Sequence, residues 1–166
     1  MLKLDRVIVP LKVLLVLFFA GLVVAEFLSV PGEFMQMARE VRPEFVHIPW
    51  LMLAFSILVL VAVQVILVCI WRLLDMVRTD LIFSRQAFVW VDVIVWTIAA
   101  VWTLMLGVFG YLVAFIYFTP EIRDPGIPIV LFGIGLATSV VLLLMIVMRA
   151  LLGQAAALRA DLEEVI

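Results

Sequence analysis

The residues of this chain that could do chemistry are few, and they stand in apolar surroundings. Asp92 lies in VWVDVIVW, Gln64 in VLVAVQVILV, and Glu26 near the end of FFAGLVVAEFLSV. A carboxylate or amide in a lipid-spanning segment is expensive without a partner, so each belongs either to a structural pair or to a polar path. For Asp92 the options are a buried pair with Arg72 or Arg85, a proton or ion site, or an interfacial acid near the positive start of its helix. Gln64 is expected to join two helices, with Thr97, Thr103, Thr138 and Ser139 as acceptable partners, or else to hold a substrate. Glu26 can pair with Arg39 or Arg42, or reach the headgroups.

A second cluster, Glu33, Glu40, Glu44 and His47, lies in PGEFMQMAREVRPEFVHIP. Glu40, Glu44 and His47 have the spacing of one helix face, as a metal site would want. Pro43 falls inside that spacing and breaks the helix it needs, so a solvated loop is expected and no metal. The single cysteine, Cys69, rules out an internal disulfide and any multi-cysteine site. It sits in an apolar run and reads as packing. No nucleophile, base and metal gather at one depth, so no enzyme and no cofactor are expected.

The elements that must position these residues follow from composition. Of 166 residues, 68% are hydrophobic and 14% charged, against about 25% charged in a soluble domain. One small core cannot hide that excess, so most of the solvent is lipid. A net charge of -2 gives no footprint for direct nucleic-acid binding.

Four apolar runs are long enough to cross a bilayer at ~1.5 Å per residue: about 8–29, 50–71, 88–118 and 127–148. The first resembles a signal peptide in its basic start and its Val23-Val24-Ala25, but it is long for a signal core, which predicts an uncleaved span. The second is framed by Trp50 and Trp71, ~31 Å apart along a helix, each at the headgroup depth that indoles prefer. The segment 31–49 is expected to be a polar loop holding a short surface helix near 33–39, stopped by Pro43 at about Val41. In the third run, Trp90 fits the inner interface, and Trp96 and Trp102 face lipid or a neighbouring helix. Gly107, Gly110, Gly133 with Ala137, and Gly135 with Ser139 mark close helix packing.

The chain is organised around the polar stretch from Trp71 to Asp92. Ser84 is placed to cap the third helix, with Phe83 and Phe88 as a hydrophobic staple. Asp75 and Arg78 are spaced to pair if the second helix continues past Trp71. Eight of the eleven lysines and arginines fall on the N-terminal arm, the central loop and the tail. Basic residues favour the inner side, so both termini and the central loop are expected in the cytoplasm. The predicted fold is all-α: one four-span transmembrane bundle over 1–166, multi-pass in a bacterial inner membrane, with a cytoplasmic helical tail from 149.

The second span ends in VCIWRLLDMVRTDLIFSRQAFVWVD and the tail reads MRALLGQAAALRADLEEVI. In these stretches, above all around Asp80, Phe83, Ser84 and Asp161 to Ile166, the chain resembles the DUF2975 family of small four-span bacterial membrane proteins, in its actinobacterial form. The resemblance covers nearly the whole length. It implies no agreed biochemical activity. Family members often lie beside small helix-turn-helix regulators, so it also implies a membrane-bound regulatory role.

The tail places Leu151, Ala155, Leu158, Leu162 and Val165 at steps of four and three, one apolar stripe on a helix. Its end is acidic, through Asp161, Glu163 and Glu164, and anionic lipid would repel it. The stripe therefore suits a protein surface better than a bilayer: its own helices, a second copy, or a soluble regulator. The expected function is a non-enzymatic regulator or scaffold that binds a cytoplasmic partner through Arg72, Arg78, Arg85, Leu151, Leu158 and Leu162. The rival is a small transporter or channel-like oligomer built on Asp92, Gln64 and Glu26.

Overall fold

The structure, a computed structural model, describes residues 2–79, 84–119 and 126–164. The side chains of 2–7, 44, 127 and 159–164 lie outside that description. Among the described residues the chain is helical and contains no strand. Four helices are long and apolar enough to cross a membrane. The chain divides into two compact units, 1–82 and 83–166, each a helical hairpin.

In the first unit, α1 (Leu2–Val24) passes into a π-helical turn, Ala25–Ser29, and then into α2 (Val30–Glu40) without a break. The short helix expected near 33–39 is thus present but starts at Val30 in direct continuation from α1, which corrects the loop expected between them. The reason lies in Pro31, which occupies the first turn of α2. Its missing N–H falls where the bonding register is already shifted by the π turn, so the ring costs the helix little. Pro43 acts as expected. α2 stops at Glu40, Val41 is extended (φ −81°, ψ 145°), and Pro43–Phe45 form a short 3-10 turn. Both α1 and α2 pack against α3 (His47–Arg78).

α3 has 32 residues, or ~48 Å, and so outruns the ~30 Å apolar core. The excess is the polar turn beyond Trp71. Thr79 folds its hydroxyl back onto the carbonyls of Asp75 and Met76 at 3.4 and 3.3 Å.

The second unit pairs α4 (Arg85–Phe118) with α5 (Gly126–Glu164). Ser84 caps α4 as its sequence context indicates: its backbone is extended (φ −76°, ψ 156°) and its hydroxyl accepts from the Ala87 N–H at 3.4 Å. Its staple partner Phe83 lies outside the described residues. α5 runs 39 residues without interruption, ~58 Å, well past the apolar stretch that ends near Met148.

Few side chains are enclosed. Among the described residues the buried set is Ile8, Pro49, Ala62, Leu67 and Cys69 in the first unit and Ala87, Ile94, Met105 and Ile116 in the second. Large apolar side chains stand outward instead; Phe27 is 74% exposed and Phe132 69%. A water-soluble chain does not show apolar surface on this scale. The protein is therefore a multi-pass membrane protein, with lipid covering these faces.

Candidate functional site

Glu26, Asp75, Asp92 and Trp102 are engaged across their hairpins. Glu26 sits in the π turn, where one extra residue per turn redirects its side chain. Its Oε2 accepts a hydrogen bond from Gln64 Nε2 on α3 at 2.9 Å, in a part-buried setting. Two of the residues suspected of lining a polar path thus satisfy each other. The partners expected for Gln64 are employed differently. Thr97, Thr103, Thr138 and Ser139 each donate to the carbonyl four residues earlier on their own helix, at 2.7 to 2.9 Å. Such back-bonding is the cheapest satisfaction for a hydroxyl in lipid. Glu26 likewise takes Gln64 rather than the expected Arg39 or Arg42.

Asp92 forms a forked pair with Arg149. The Arg149 Nε donates to Oδ1, and Nη2 donates to Oδ2 at 3.0 Å. The expected partners, Arg72 and Arg85, are replaced by a residue 57 positions away in the chain. The antiparallel hairpin explains this: the end of the apolar part of α5 lies beside the second turn of α4. A guanidinium matches both oxygens of a carboxylate at once, which fixes direction as well as charge. The pair is not sealed, with side chains 51% and 36% exposed.

The first hairpin carries a clamp of the same kind, absent from the sequence reading. Lys12 on α1 donates to Asp75 Oδ1 on α3. The same ammonium lies 4.8 Å from the centre of the Trp71 ring, a cation–π contact. Asp75 was expected to pair with Arg78. The signal that could have found Lys12 is depth: Lys12 directly precedes the unbroken apolar stretch that starts at Val13, and Asp75 lies one turn past Trp71, on helices that must be antiparallel.

A further cross-helix bond joins α4 and α5. Trp102 Nε1 donates to Ser139 Oγ at 2.7 Å, so Trp102 faces its neighbouring helix through a polar tie. Thr138 Oγ1 also approaches Met105 Sδ at 3.9 Å. Trp96, 75% exposed, faces outward.

In each hairpin, then, an ion pair lies toward the central segment, and a single side-chain hydrogen bond lies deeper. Asp75 and Gln64 are eleven residues apart, Asp92 and Trp102 ten, or ~15–17 Å along a helix. These ties hold helices in register. None of them presents an activated nucleophile or an acid–base pair around a reacting atom.

The second cluster, Glu33, Glu40, Glu44 and His47, does not gather on one helix face. Glu40 ends α2, His47 opens α3, and the turn at Pro43 lies between them; the side chain of Glu44 is outside the description. Among the described residues no group of three His, Cys, Asp or Glu is placed to hold a metal.

Of the residues expected to meet a partner, Arg72, Arg78 and Arg85 are exposed on the helix ends that flank the central segment. Leu151 and Leu158 are 53% and 65% exposed. Leu162 lies on α5, with its side chain outside the description.

A family model described as a protein of unknown function (DUF2975) matches residues 33–166. No curated protein and no solved structure matches the chain.

Proposed function

The chain belongs to the DUF2975 family, and on that premise we propose that it is a non-enzymatic regulatory or scaffold protein of the bacterial inner membrane, docking a soluble cytoplasmic protein. The observation that supports this most is the continuity of α5. The helix carries on ~24 Å beyond Met148 as far as Glu164, and its apolar Leu151 and Leu158 stay exposed. A stiff arm with an apolar stripe and an acidic end is a helix-in-groove ligand in form. The basic end of α3, at Arg72 and Arg78, and separately Arg85 at the start of α4 offer contacts of opposite charge.

In this reading both termini and the central segment lie on the cytoplasmic side, the arrangement the lysine and arginine distribution favours. The partner class is a small soluble regulator, such as a helix-turn-helix protein, held at the membrane and released when the hairpins rearrange. Copurification in mild detergent tests it. Capture of a soluble regulator by the full chain, lost when 149–166 is deleted, is the expected result. Recovery of no cytoplasmic protein, with deletion of the tail having no effect in cells, would sink the idea.

One observation favours the rival reading, a transporter or channel-like oligomer. π turns are frequent at functional sites, and Glu26 occupies one. Against it stand the pairings of Glu26 with Gln64 and of Asp92 with Arg149, which use these groups internally. Proteoliposome flux that falls in Glu26→Gln or Asp92→Asn would restore the rival; unchanged flux removes its support.

A further inference from the structure

The apolar stripe of the α5 arm does not begin at Leu151. The same alternating steps of four and three lead back through Met148, Leu144 and Val141 to Val130, inside the membrane-spanning part of the helix. They lead forward through Leu158 to positions 162 and 165. The stripe is a strict seven-residue repeat, ~52 Å long on a helix. Seven such registers can be drawn through 130–165. Only this one contains no charged residue, because each of the other six takes in Arg149, Arg159, Asp161 or Glu164.

The stripe is open along its described length. Val130, Val141, Leu144, Met148, Leu151 and Leu158 are 50–65% exposed. Ser139 and Arg149, which bond to α4, lie on the other side of α5. What covers the stripe is decided by where it runs. It passes from the apolar stretch that ends near Met148 into the more polar arm. Lipid suits only the first part, and a soluble protein only the second. A second α5, inserted in the same direction, matches both.

The residue types agree with such a pair. Leu144, Leu151 and Leu158 fall at d positions, and Ile134 and Val141 at a positions, a pattern that favours two parallel strands. A strict heptad drifts ~20° per repeat on a straight helix, so only a partner that winds with α5 follows the seam to its end. Fully burying a Leu-sized side chain removes ~60–120 Å² from its surroundings. The seam with its flanks is therefore on the order of the ~800 Å² that a stable pair takes from each partner.

We propose that α5 pairs in parallel with the α5 of a second copy along this seam, from Val130 through the arm. The pairing needs no soluble partner, so it stands or falls separately from the docking function. One consequence does rest on that reading: copy and regulator compete for the stripe of the arm, so closure of the paired arms would release a docked regulator.

Single cysteines oxidised with copper phenanthroline, in membranes carrying the full chain, test the pairing. Leu144→Cys, Leu151→Cys and Leu158→Cys stand on the seam. Leu143→Cys, Ala150→Cys and Ala157→Cys, each one residue earlier and also exposed, stand off it. Disulfide-linked dimer from the three seam positions, and little from the other three, is expected. Adding Leu158→Asp to Leu151→Cys should remove the dimer band. Equal yields at both sets would overturn the proposal by showing random collision, and so would no dimer at any position. Dimer at Leu151→Cys and Leu158→Cys with none at Leu144→Cys would also overturn it, because the seam would then stop at the membrane. A band that survives Leu158→Asp has the same consequence.

Discussion

Arg149 and Asp92, 57 positions apart, meet through two parallel hydrogen bonds that tie the end of the apolar part of α5 to the second turn of α4. The bond is partly open to its surroundings, so its strength depends on ionic screening. The Debye length falls from about 10 Å at 0.1 M salt to about 3 Å at 1 M. A double-mutant cycle with Asp92→Asn and Arg149→Gln should give a favourable coupling in thermal unfolding from detergent, and the coupling should shrink as salt rises. Strictly additive single effects at low salt would show that the two groups do not cooperate.

The Glu26–Gln64 bond lies deeper and answers to different variants. Gln64→Leu leaves a carboxyl group without its donor, whereas Glu26→Gln keeps an acceptor oxygen in place. Interhelical bonds in membranes contribute about 0.6 kcal/mol on average and up to about 1.7. Gln64→Leu should therefore destabilise the first hairpin by roughly that amount, and Glu26→Gln by less. Steric trapping in bicelles measures both. The reverse order would mean that the charge, not the hydrogen bond, is what this site requires.

Trp102 and Ser139 form a third tie. Ser139→Ala removes the acceptor of a part-buried indole N–H, at about 0.5–1.5 kcal/mol. Trp102→Phe added to Ser139→Ala should cost less than the sum of the two single changes, because both remove the same bond. An indole emission spectrum that does not move in Ser139→Ala would indicate that Trp102 finds its partner elsewhere.

The α5 arm beyond Met148 rests on helix continuity through Gly153. An added Cβ there meets nothing within 4 Å. Gly153→Ala should thus raise the stability of the arm by up to about 1 kcal/mol, since glycine is the weaker helix former. Gly153→Pro should break it, leave the spans in place, and abolish capture of the soluble partner. Leu158→Asp should weaken capture while preserving helicity. Capture that survives both would move the docking site away from the arm.

Topology can be read with single cysteines. Cys69 is 1% exposed and should stay unlabelled by maleimide in intact membranes, giving a silent background. Gln36→Cys and Gln154→Cys should then label from opposite sides, with Gln154 on the cytoplasmic side. Labelling of both from one side would refute the four-span arrangement.

What could be read from the amino-acid order alone was whatever depends on a residue and its near neighbours. Hydropathy locates the spans because transfer into lipid is summed along a run. The stop at Pro43 and the cap at Ser84 were legible because their causes lie within four residues. Partners were not. Proximity in sequence points Asp92 to Arg72 or Arg85, yet it bonds to Arg149 on the antiparallel helix; Asp75 feels the nearby Arg78, but its side-chain bond comes from Lys12 on the antiparallel helix. Which side chains share a depth is settled only when two helices choose a register. The unbroken passage from α1 to α2 likewise hinged on the π turn at Ala25–Ser29, a backbone shift that accommodates Pro31 and that no residue pattern announces. Local chemistry and hydrophobicity thus determined how many rods there are and where they begin and end. Packing between antiparallel neighbours decided which charges meet, because a contact across helices has no counterpart in a one-dimensional list.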